Sequence, residues 1–438
     1  MPRRYLIIGM GPAGISAAES IRSQDPSGDI LLVSDDPHRY YSRPGLAYYL
    51  SGEVPEKMLF PWTEKDLRRL DLRLMSARVV RLHPDAHQVE LSDGSRLPYD
   101  RLLLATGSLA VRPPVPGIDV AGVVKLDDLE DARGIKKRCR GARAAVVVGG
   151  GITALELVEG LRASRIQTHY LMRGDRYWSN VLDPVESLIV QRRLEEEGVR
   201  IHVQTELKQV LGRDGHVTGV ETQDGRQIAC DLLAVAIGVQ PRKELADGSG
   251  LQIDRGVLVG KTLETNVSDL FAAGDVAQAF DPLSGKATLN TLWSVAVAQG
   301  HVAGLNMAGQ AVPYRKAVPL NVTRLAGLVT TVIGTVGGGS DRDVQGIGRG
   351  DSETWRHAAE AAGVDSQLGP NRLRLVVGGH TLLGAIVMGD QALSRPLHHL
   401  VGQQIDITAV RSRLLEAKGD LRELILGLWD RGRTRDVA

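Results

Sequence analysis

Two glycine-rich segments contain the residues of this chain that are best suited to bind a charged ligand. Residues 9–14 (Gly-Met-Gly-Pro-Ala-Gly) follow the apolar residues 5–8, and residues 149–154 (Gly-Gly-Gly-Ile-Thr-Ala) follow the apolar residues 144–148. Where a buried parallel strand turns tightly into a helix, free N–H groups and the positive end of the helix dipole point at an anion. Both spacings match the turn that holds a pyrophosphate, so the sequence predicts two dinucleotides bound by one chain.

The first segment matches that turn most completely. Gly9 permits the tight turn, Gly11 lets the backbone approach the pyrophosphate, and Gly14 lets the helix pack closely on the strand. The next apolar run ends at Asp35, about 20 residues after Gly14, where a carboxylate that binds the ribose is expected. Asp36 is an alternative for this role. The predicted contacts of the first dinucleotide are Gly9, Gly11, Pro12, Ala13, Gly14 and Asp35.

The order of apolar runs and turn residues predicts the elements that position these turns. Residues 1–112 contain a strand–helix–strand unit, a hairpin and a further buried strand, and three prolines then mark a boundary. A second strand–helix–strand block follows, and the apolar run at 270–276 returns to the first block. We therefore predict an α/β fold with two Rossmann-like domains and a C-terminal α/β domain. The predicted domains are 1–112 with 249–311, 113–248, and 312–438, and the Gly- and Asp-rich residues 337–350 predict a surface loop.

Composition excludes several classes of protein. A chain of 438 residues accommodates about three domains. The formal net charge of +1 gives no electrostatic footprint for nucleic acid or an anionic membrane. No apolar run approaches the length of a membrane span, and we expect no signal peptide and a cytoplasmic location. The two cysteines, Cys139 and Cys230, exclude a disulfide framework and a cysteine-ligated iron–sulfur cluster, and the histidines predict no metal site.

Five motifs together resemble the pyridine nucleotide–disulfide oxidoreductase superfamily, whose flavoproteins carry two dinucleotide-binding domains. They are the two glycine segments, residues 104–107 (Leu-Ala-Thr-Gly), residues 236–241 (Ala-Ile-Gly-Val-Gln-Pro) and residues 271–275 (Phe-Ala-Ala-Gly-Asp), in that family's order. The resemblance covers roughly residues 1–310 and implies FAD at the first turn and NAD(P)H at the second. By resemblance, Asp275 contacts the ribityl or phosphate region and Val80 the adenine. An N-cap of a helix after Val276 is the alternative for Asp275.

The same resemblance implies further cofactor contacts. For FAD these are Arg43, Val80, Ala105, Thr106, Gly107, Gly274 and Asp275. For the nicotinamide nucleotide they are Gly149, Gly151, Ile152, Arg173 and Gly238.

Residues 40–53 decide which branch of that superfamily the chain resembles. Disulfide reductases need a redox cysteine in this segment, and the segment contains none, which excludes thiol–disulfide chemistry there. Arg43 and Pro44 instead resemble ferredoxin, rubredoxin and putidaredoxin reductases and the FAD module of NAD(P)H nitrite reductases. In those proteins the arginine lies along the FAD, and a plain surface arginine is the alternative.

That branch also implies four residues beside the reacting rings: Pro44, Tyr48, Glu156 and Trp293. The reductases place a lysine five residues after the arginine, paired with a glutamate near flavin N5. Here Tyr48 replaces the lysine and Glu156 remains, either as an ordinary helix residue or as one that orients the nicotinamide. Trp293 stands where an aromatic lies near the isoalloxazine, and a core tryptophan is the alternative.

The strand after the second turn bears on the choice of nicotinamide cofactor. It ends at Met172, which cannot accept bonds from ribose hydroxyls, and Arg173 and Arg176 follow. These arginines suit a 2′-phosphate, although solvated charge explains them too. The pattern favours NADPH over NADH.

The sequence thus predicts an FAD-dependent NAD(P)H oxidoreductase that passes electrons from reduced FAD to a ferredoxin- or rubredoxin-like partner protein. Two alternatives stay open: an NAD(P)H oxidase that reduces oxygen, and a flavoprotein electron-transfer subunit of a larger complex. Homo-oligomers also stay open. No acceptor surface is readable, because the stripe of Arg411, Arg413 and Lys418 is typical of a solvated helix face.

Overall fold

The structure is a computed structural model that describes residues 2–337, 347–356, 361–368, 371–416 and 421–435. The helices, in chain order, are α1 (Pro12–Gln24), α2 (Gly45–Ser51), α3 (Glu64–Arg69), α4 (Leu129–Cys139), α5 (Ile152–Ala163), α6 (Pro184–Glu196), α7 (Trp293–Met307), α8 (Ser394–Gly402), α9 (Arg411–Glu416) and α10 (Leu421–Arg435). Short 3₁₀ turns cover Glu56–Leu59, Pro84–Ala86, Glu353–Arg356 and Thr408–Val410. Lys418 lies outside the described residues.

β-Strands make up the rest of the regular secondary structure in the described residues. Those before the second glycine turn are β1 (Arg4–Ile8), β2 (Asp29–Ser34), β3 (Arg73–Ser76), β4 (Val79–His83), β5 (Gln88–Leu91), β6 (Arg96–Pro98), β7 (Arg101–Leu104), β8 (Ser108–Ala110), β9 (Val123–Val124) and β10 (Ala144–Val148). The next are β11 (Gln167–Leu171), β12 (Arg200–His202), β13 (Leu207–Arg213), β14 (His216–Thr222), β15 (Gln227–Ala229), β16 (Leu232–Val235) and β17 (Val239–Pro241). The last are β18 (Val257–Val259), β19 (Leu270–Ala272), β20 (Ala277–Asp281), β21 (Lys286–Thr288), β22 (Leu320–Leu325), β23 (Leu328–Gly334), β24 (Ala362–Leu368), β25 (Asn371–Val377) and β26 (Leu382–Met388).

The first glycine turn follows β1, the central strand of a five-stranded parallel sheet in the order β19-β7-β1-β2-β3. Strand β19 follows the second glycine segment in sequence but pairs with β7, as the apolar run at 270–276 predicts. Helix α1 packs against α7, where a Cβ on Gly300 or Gly304 would collide with the backbone of α1. Glycine therefore allows the two helices to approach closely beside the turn.

The second glycine turn stands on a similar parallel sheet, in the order β12-β11-β10-β16-β9. Its central strands are buried on both faces, and they read as continuous apolar runs for that reason. The antiparallel sheet β13-β14-β15 packs beside it. Smaller sheets are β4-β5-β6, β18-β20-β21 and β17-β8.

The C-terminal part is an antiparallel sheet in the order β22-β23-β26-β25-β24, with α8 and α10 packed on it. Two arginines of β25 fasten this sheet to the start of α6: Arg372 Nη2 lies 2.5 Å from Asp183 Oδ2, and Arg374 Nε lies 2.9 Å from Glu186 Oε1. The predicted α/β fold, with two Rossmann-like sheets and a further α/β region, is confirmed. No helix among the described residues is long and apolar enough to cross a membrane.

The predicted surface loop at 337–350 is wrong at its C-terminal end. Residues 338–346 lie outside the described ranges, but Ile347 is buried and its carbonyl accepts a hydrogen bond from the Val239 N–H at 2.9 Å. Arg349 points inward as well, because its guanidinium is bound to the buried carboxylate of Asp127. The segment 347–356 is thus part of the interior between the two Rossmann-like sheets.

Candidate active site

The first glycine turn forms an open cradle at the start of α1. Gly9 has φ +110°, and a Cβ there would collide with the Ala105 carbonyl oxygen; a Cβ on Gly14 would collide with the Gly9 oxygen. A Cβ on Gly11, in contrast, would meet nothing within 4 Å. Gly11 is the N-cap of α1, and Pro12 and Ala13 begin the helix. The packing needs Gly9 and Gly14, whereas the space at Gly11 suits a pyrophosphate at the helix N-terminus.

Asp35 is better placed than Asp36 to bind a ribose. Asp36 is engaged, because its carboxylate accepts bonds from the Tyr41 hydroxyl at 3.1 Å and from the His38 N–H at 2.9 Å. Asp35 is half exposed beyond the end of β2, and its Oδ1 lies 3.7 Å from Arg242 Nη1. The geometry favours Asp35 as the ribose carboxylate.

The motif at 104–107 interlocks with the chain after β17. The Thr106 hydroxyl donates to the Arg242 carbonyl at 2.7 Å, and the Arg242 N–H donates to the Gly107 carbonyl at 2.9 Å. Ala105 is buried behind Gly9. These bonds hold the wall of the first cradle against the strand that leaves the second Rossmann-like sheet.

Gly274 and Asp275 lie beside the first turn. A Cβ on Gly274 would stand 3.1 Å from the Ala13 Cβ, and the Gly274 N–H donates to Gln299 Oε1 at 2.8 Å. Asp275 Oδ2 accepts a bond from the Ser108 hydroxyl at 2.6 Å. The alternative role as a helix N-cap is wrong, because strand β20 follows Asp275.

Val80 and Arg43 are two further residues predicted to contact the first dinucleotide. The β4–β5 register shifts between Val79 and Arg81, so the exposed Val80 has no partner in that ladder. Burial alone would lower the pKa of Arg43, but Tyr41, Asp127 and Asp275 raise it above its usual value. Arg43 therefore faces inward toward carboxylates, which disfavours the surface alternative.

The second glycine turn opens into a large cavity of about 1110 Å³. Gly149 has φ +149°, and a Cβ there would collide with the Ala236 oxygen, whereas Cβ atoms on Gly150 and Gly151 would meet nothing within 4 Å. The cavity brings together all the residues predicted for the nicotinamide nucleotide: Gly149, Gly151, Ile152, Arg173 and Gly238. Its wall also includes Arg176 and, from the C-terminal part, Arg349 and Arg356.

Helix α2 crosses helix α5 next to this cavity. A Cβ on Gly160 would lie 3.0 Å from the Leu50 Cβ, so the helices nearly touch. Pro44 is the exposed N-cap of α2, and the Tyr48 ring stacks under the Arg324 guanidinium at 5.3 Å. Burial raises the pKa of Glu156 to about 8, and the neighbouring Glu159 adds to the shift while Arg349 opposes it.

Trp293 is the first residue of α7 and 49% exposed, so the core alternative for this residue is wrong. Burial raises the pKa of Tyr40, and the nearby Trp293 opposes this shift. An exposed aromatic at this position suits contact with another molecule better than packing.

Sequence reasoning missed Asp127 and Arg349. Asp127 is 1% exposed and accepts bonds from the Ala110 N–H at 2.9 Å, Lys125 Nζ at 2.9 Å and Arg349 Nη2 at 2.5 Å. Neither residue belongs to a local motif. The only available signal was an aspartate directly after the apolar Leu126.

Comparison with known proteins agrees with this geometry. Residues 3–300 match the family model for pyridine nucleotide-disulphide oxidoreductases. The chain belongs to this family. Neither cysteine lies in residues 40–53: Cys139 ends α4, and Cys230 is buried before β16, where burial raises the pKa of its thiol to about 12.

Several relatives are ferredoxin or rubredoxin reductases. The ferredoxin–NAD(+) reductase component of the biphenyl dioxygenase system of Paraburkholderia xenovorans is 34% identical over 78% of this chain and 83% of its own length. The epsilon subunit of NADH-dependent phenylglyoxylate dehydrogenase of Aromatoleum evansii is 29% identical over 94% of both chains. The solved ferredoxin reductase for the CYP199A2 system of Rhodopseudomonas palustris has the same fold, with a TM-score of 0.85 at 23% identity over 96% of this chain and 99% of that one.

Proposed function

We propose that this protein is an FAD-dependent NAD(P)H oxidoreductase that passes single electrons to a ferredoxin- or rubredoxin-like carrier protein. The observation that carries the proposal is the pair of glycine turns, each with open space at its middle glycine, in a chain whose residues 40–53 contain no cysteine. The similarity to the ferredoxin–NAD(+) reductase component of the biphenyl dioxygenase system supports it.

The first cradle has the donor set that FAD requires. Gly11 and the start of α1 would hold the pyrophosphate, Asp35 the ribose, and the Val80 backbone the adenine. Arg43, Asp275 and the turn at Ala105, Thr106 and Gly107 would line the path toward the flavin ring. FAD supplies the chemistry, since it accepts a hydride and releases two electrons separately. The protein orients the rings and excludes other reactants.

For the nicotinamide nucleotide we propose a preference for NADPH. Gly149, Gly151, Ile152 and Gly238 would hold its pyrophosphate side, and Arg173 would meet the 2′-phosphate. Met172 is fully buried and offers no acceptor to ribose hydroxyls. Arg176 lines the same cavity and is already paired with Asp175 at 2.8 Å.

We also propose that the chain divides as 1–112 with 249–311, 113–248, and 312–438. The parallel pairing of β19 with β7 supports the discontinuous first domain. The self-contained antiparallel sheet after residue 312 supports the third.

Anaerobic spectroscopy of the purified, FAD-reconstituted protein tests the proposal. NADPH should bleach the flavin absorbance, and an oxidised ferredoxin or rubredoxin should restore it much faster than air-saturated buffer does. A protein that cannot retain flavin contradicts the proposal. Fast restoration by oxygen alone, with no response to either carrier, supports an oxidase instead.

A second candidate is an electron-transfer subunit of a larger complex. The phenylglyoxylate dehydrogenase epsilon subunit aligns over 94% of both chains, so the similarity extends into the C-terminal region. Flavin that NADH or NADPH bleaches, but that returns electrons to neither small carrier, would favour this candidate. Co-purification of the native protein with further subunits would then identify the complex.

A further inference from the structure

Helix α5 carries an unusual pair of carboxyl groups beside the cavity in front of the second glycine turn, called the cleft below; Ile152, the first residue of α5, lines it. Ile152, Glu156 and Gly160 are four residues apart and so share one helix face. Ile152 Cδ1 would lie 3.6 Å from a Cβ on Gly350, and Gly160 abuts Leu50 of α2. Glu156 is therefore partly buried between the C-terminal segment and α2. Its carboxyl makes no hydrogen bond or ion pair within the described ranges.

Glu159 lies one helical turn further along α5, toward the surface. Residues three apart on a helix are neighbours, with Cβ atoms about 5–6 Å apart. Glu159 Oε1 accepts a bond from the Gly327 N–H at 3.3 Å, and Gly327 lies in an exposed turn between β22 and β23. The two carboxyls thus form an inner and an outer member of one pair.

The charged groups around this pair do not neutralise it. Arg324 of β22 faces Glu159, but its guanidinium is bound to Glu53 at 2.5 and 2.6 Å. Arg349 faces Glu156, but it is bound to Asp127. Two further carboxylates, Glu53 and Glu197, raise the pKa of Glu159 still more. The other neighbours, Tyr48 on α2 and the buried Tyr177, are neutral.

Two such carboxyls cannot both ionise easily. Burial raises the pKa of Glu156 to about 8 and that of Glu159 to about 7, and each nearby carboxylate disfavours ionisation of the other. Such groups titrate as a pair, so at neutral pH the two carboxyls together retain a proton. Tyr48 matters because a cation at its position would favour ionisation of the two carboxyls, so that they would no longer retain a proton at neutral pH.

We infer that Glu156 and Glu159 form a proton-sharing pair that carries the proton of the nicotinamide hydride from the cleft to solvent. The inference rests on the proposed function. NAD(P)H and two oxidised carriers give NAD(P)⁺, two reduced carriers and one proton. The nicotinamide C4–H bond breaks, its electron pair leaves as two single electrons, and the proton remains in the cleft. Glu156 accepts that proton while its earlier proton passes through Glu159 to water at the Gly327 turn.

Infrared titration of the apoprotein tests the shared proton without any cofactor. The carbonyl stretch of a protonated carboxylic acid should persist at neutral pH and disappear with midpoints between about 7 and 8. Glu156→Gln should remove the higher-pH component, and Tyr48→Lys should move it to lower pH. Glu196→Gln, on the exposed end of α6, is the matched control and should leave the band intact. A wild-type band absent above pH 6, or one unchanged in Glu156→Gln, overturns the inference.

Reoxidation kinetics test the transfer itself. After reduction by NADPH, ferricyanide should restore the flavin absorbance with a solvent isotope effect in D₂O. In Glu156→Gln and in Glu159→Gln we expect a rate about a hundredfold lower, the lower end of general acid–base effects, and Glu196→Gln should match wild type. An unchanged rate and isotope effect in Glu156→Gln refutes proton transfer even if the infrared band is found. Failure to bind flavin would refute the proposed function, whereas the apoprotein titration would still decide on the pair.

Discussion

Arg349 and Asp127, 222 residues apart, form a buried ion pair in which Nη2 lies 2.5 Å from Oδ1 and Nη1 donates to the Asp127 carbonyl at 3.0 Å. Burial opposes ionisation of Asp127, but Arg349 and the Ala110 N–H lower its pKa below the usual value. The pair joins segment 347–356 to the strand β8 region. It thereby fixes one wall of the cavity in front of the second glycine turn.

Asp127→Asn should destabilise the protein, because it leaves the buried Arg349 guanidinium without the carboxylate that binds it. We expect a loss of about 3 kcal/mol in the free energy of unfolding, measured by urea denaturation. Asp224→Asn breaks a pair in which Asp224 and Arg226 are both about half exposed, and it should leave the urea midpoint unchanged. Equal midpoints for wild type and Asp127→Asn would show that the pair does not hold the segment.

Gly11→Ala and Gly151→Ala should each impair the binding of a different cofactor. A Cβ at either position meets only open space, so neither change should lower the thermal stability of the apoprotein. If the pyrophosphates approach these glycines, Gly11→Ala lowers flavin retention, whereas Gly151→Ala retains flavin and raises KM for the nicotinamide nucleotide. Flavin content after gel filtration and steady-state kinetics measure the two effects.

Gly134→Ala is the matched control for this pair. Its Cβ also meets nothing within 4 Å, but Gly134 lies in α4, away from both turns. Flavin content and KM should stay at wild-type values. The assignment of the cradles is wrong if Gly11→Ala and Gly151→Ala affect the same cofactor.

The sequence predicts the glycine turns and the strands before them because their information is local. Turn, strand end and helix start lie within six residues at 9–14, and each glycine has one steric reason. The pairing of β19 with β7 is non-local, and the apolar run at 270–276 predicts it only because a buried parallel strand has few other places.

The rest of the site depends on contacts that no local pattern encodes. Residues 337–350 have the composition of a loop, yet Ile347 and Arg349 are held inside by partners far away in sequence, Val239 and Asp127. The segment after Asp275, a helix in the alternative interpretation, is a strand for a similar reason: residues 277–281 pair with β18 and β21. Tertiary pairing decides the conformation of such short segments.

Arg173→Ala should weaken NADPH more than NADH. A charge-assisted hydrogen bond contributes about 1.5–3 kcal/mol, so KM for NADPH should rise about tenfold or more while KM for NADH stays within about twofold. Steady-state kinetics with each nucleotide measures this. Arg140→Ala, at an exposed site after α4, should change neither constant. An equal rise for both nucleotides would contradict a 2′-phosphate role.

Trp293→Ala should impair transfer to the carrier protein and spare the flavin. The side chain is half exposed, so little packing is lost, and exposed aromatics near an interface centre carry much of its binding energy. We expect kcat/KM for a ferredoxin or rubredoxin to fall about tenfold, with ferricyanide reduction unchanged. Phe280→Ala, an equally exposed aromatic on β20, is the control. A parallel fall with both acceptors would place Trp293 in flavin binding instead.

Glu156 should make apoprotein stability fall as pH rises from about 5 to 8. Its folded pKa of about 8 lies above the ordinary 4.5, so in this window the folded chain binds a proton that the unfolded chain has released. The contribution is full below pH 4.5 and is lost by pH 8, with a slope of at most about 1.4 kcal/mol per pH unit. Urea denaturation of Glu156→Gln should show a flatter profile. Glu196→Gln, at the exposed end of α6, is the control and should leave the profile as in wild type. Identical slopes for wild type and Glu156→Gln would refute a protonated Glu156.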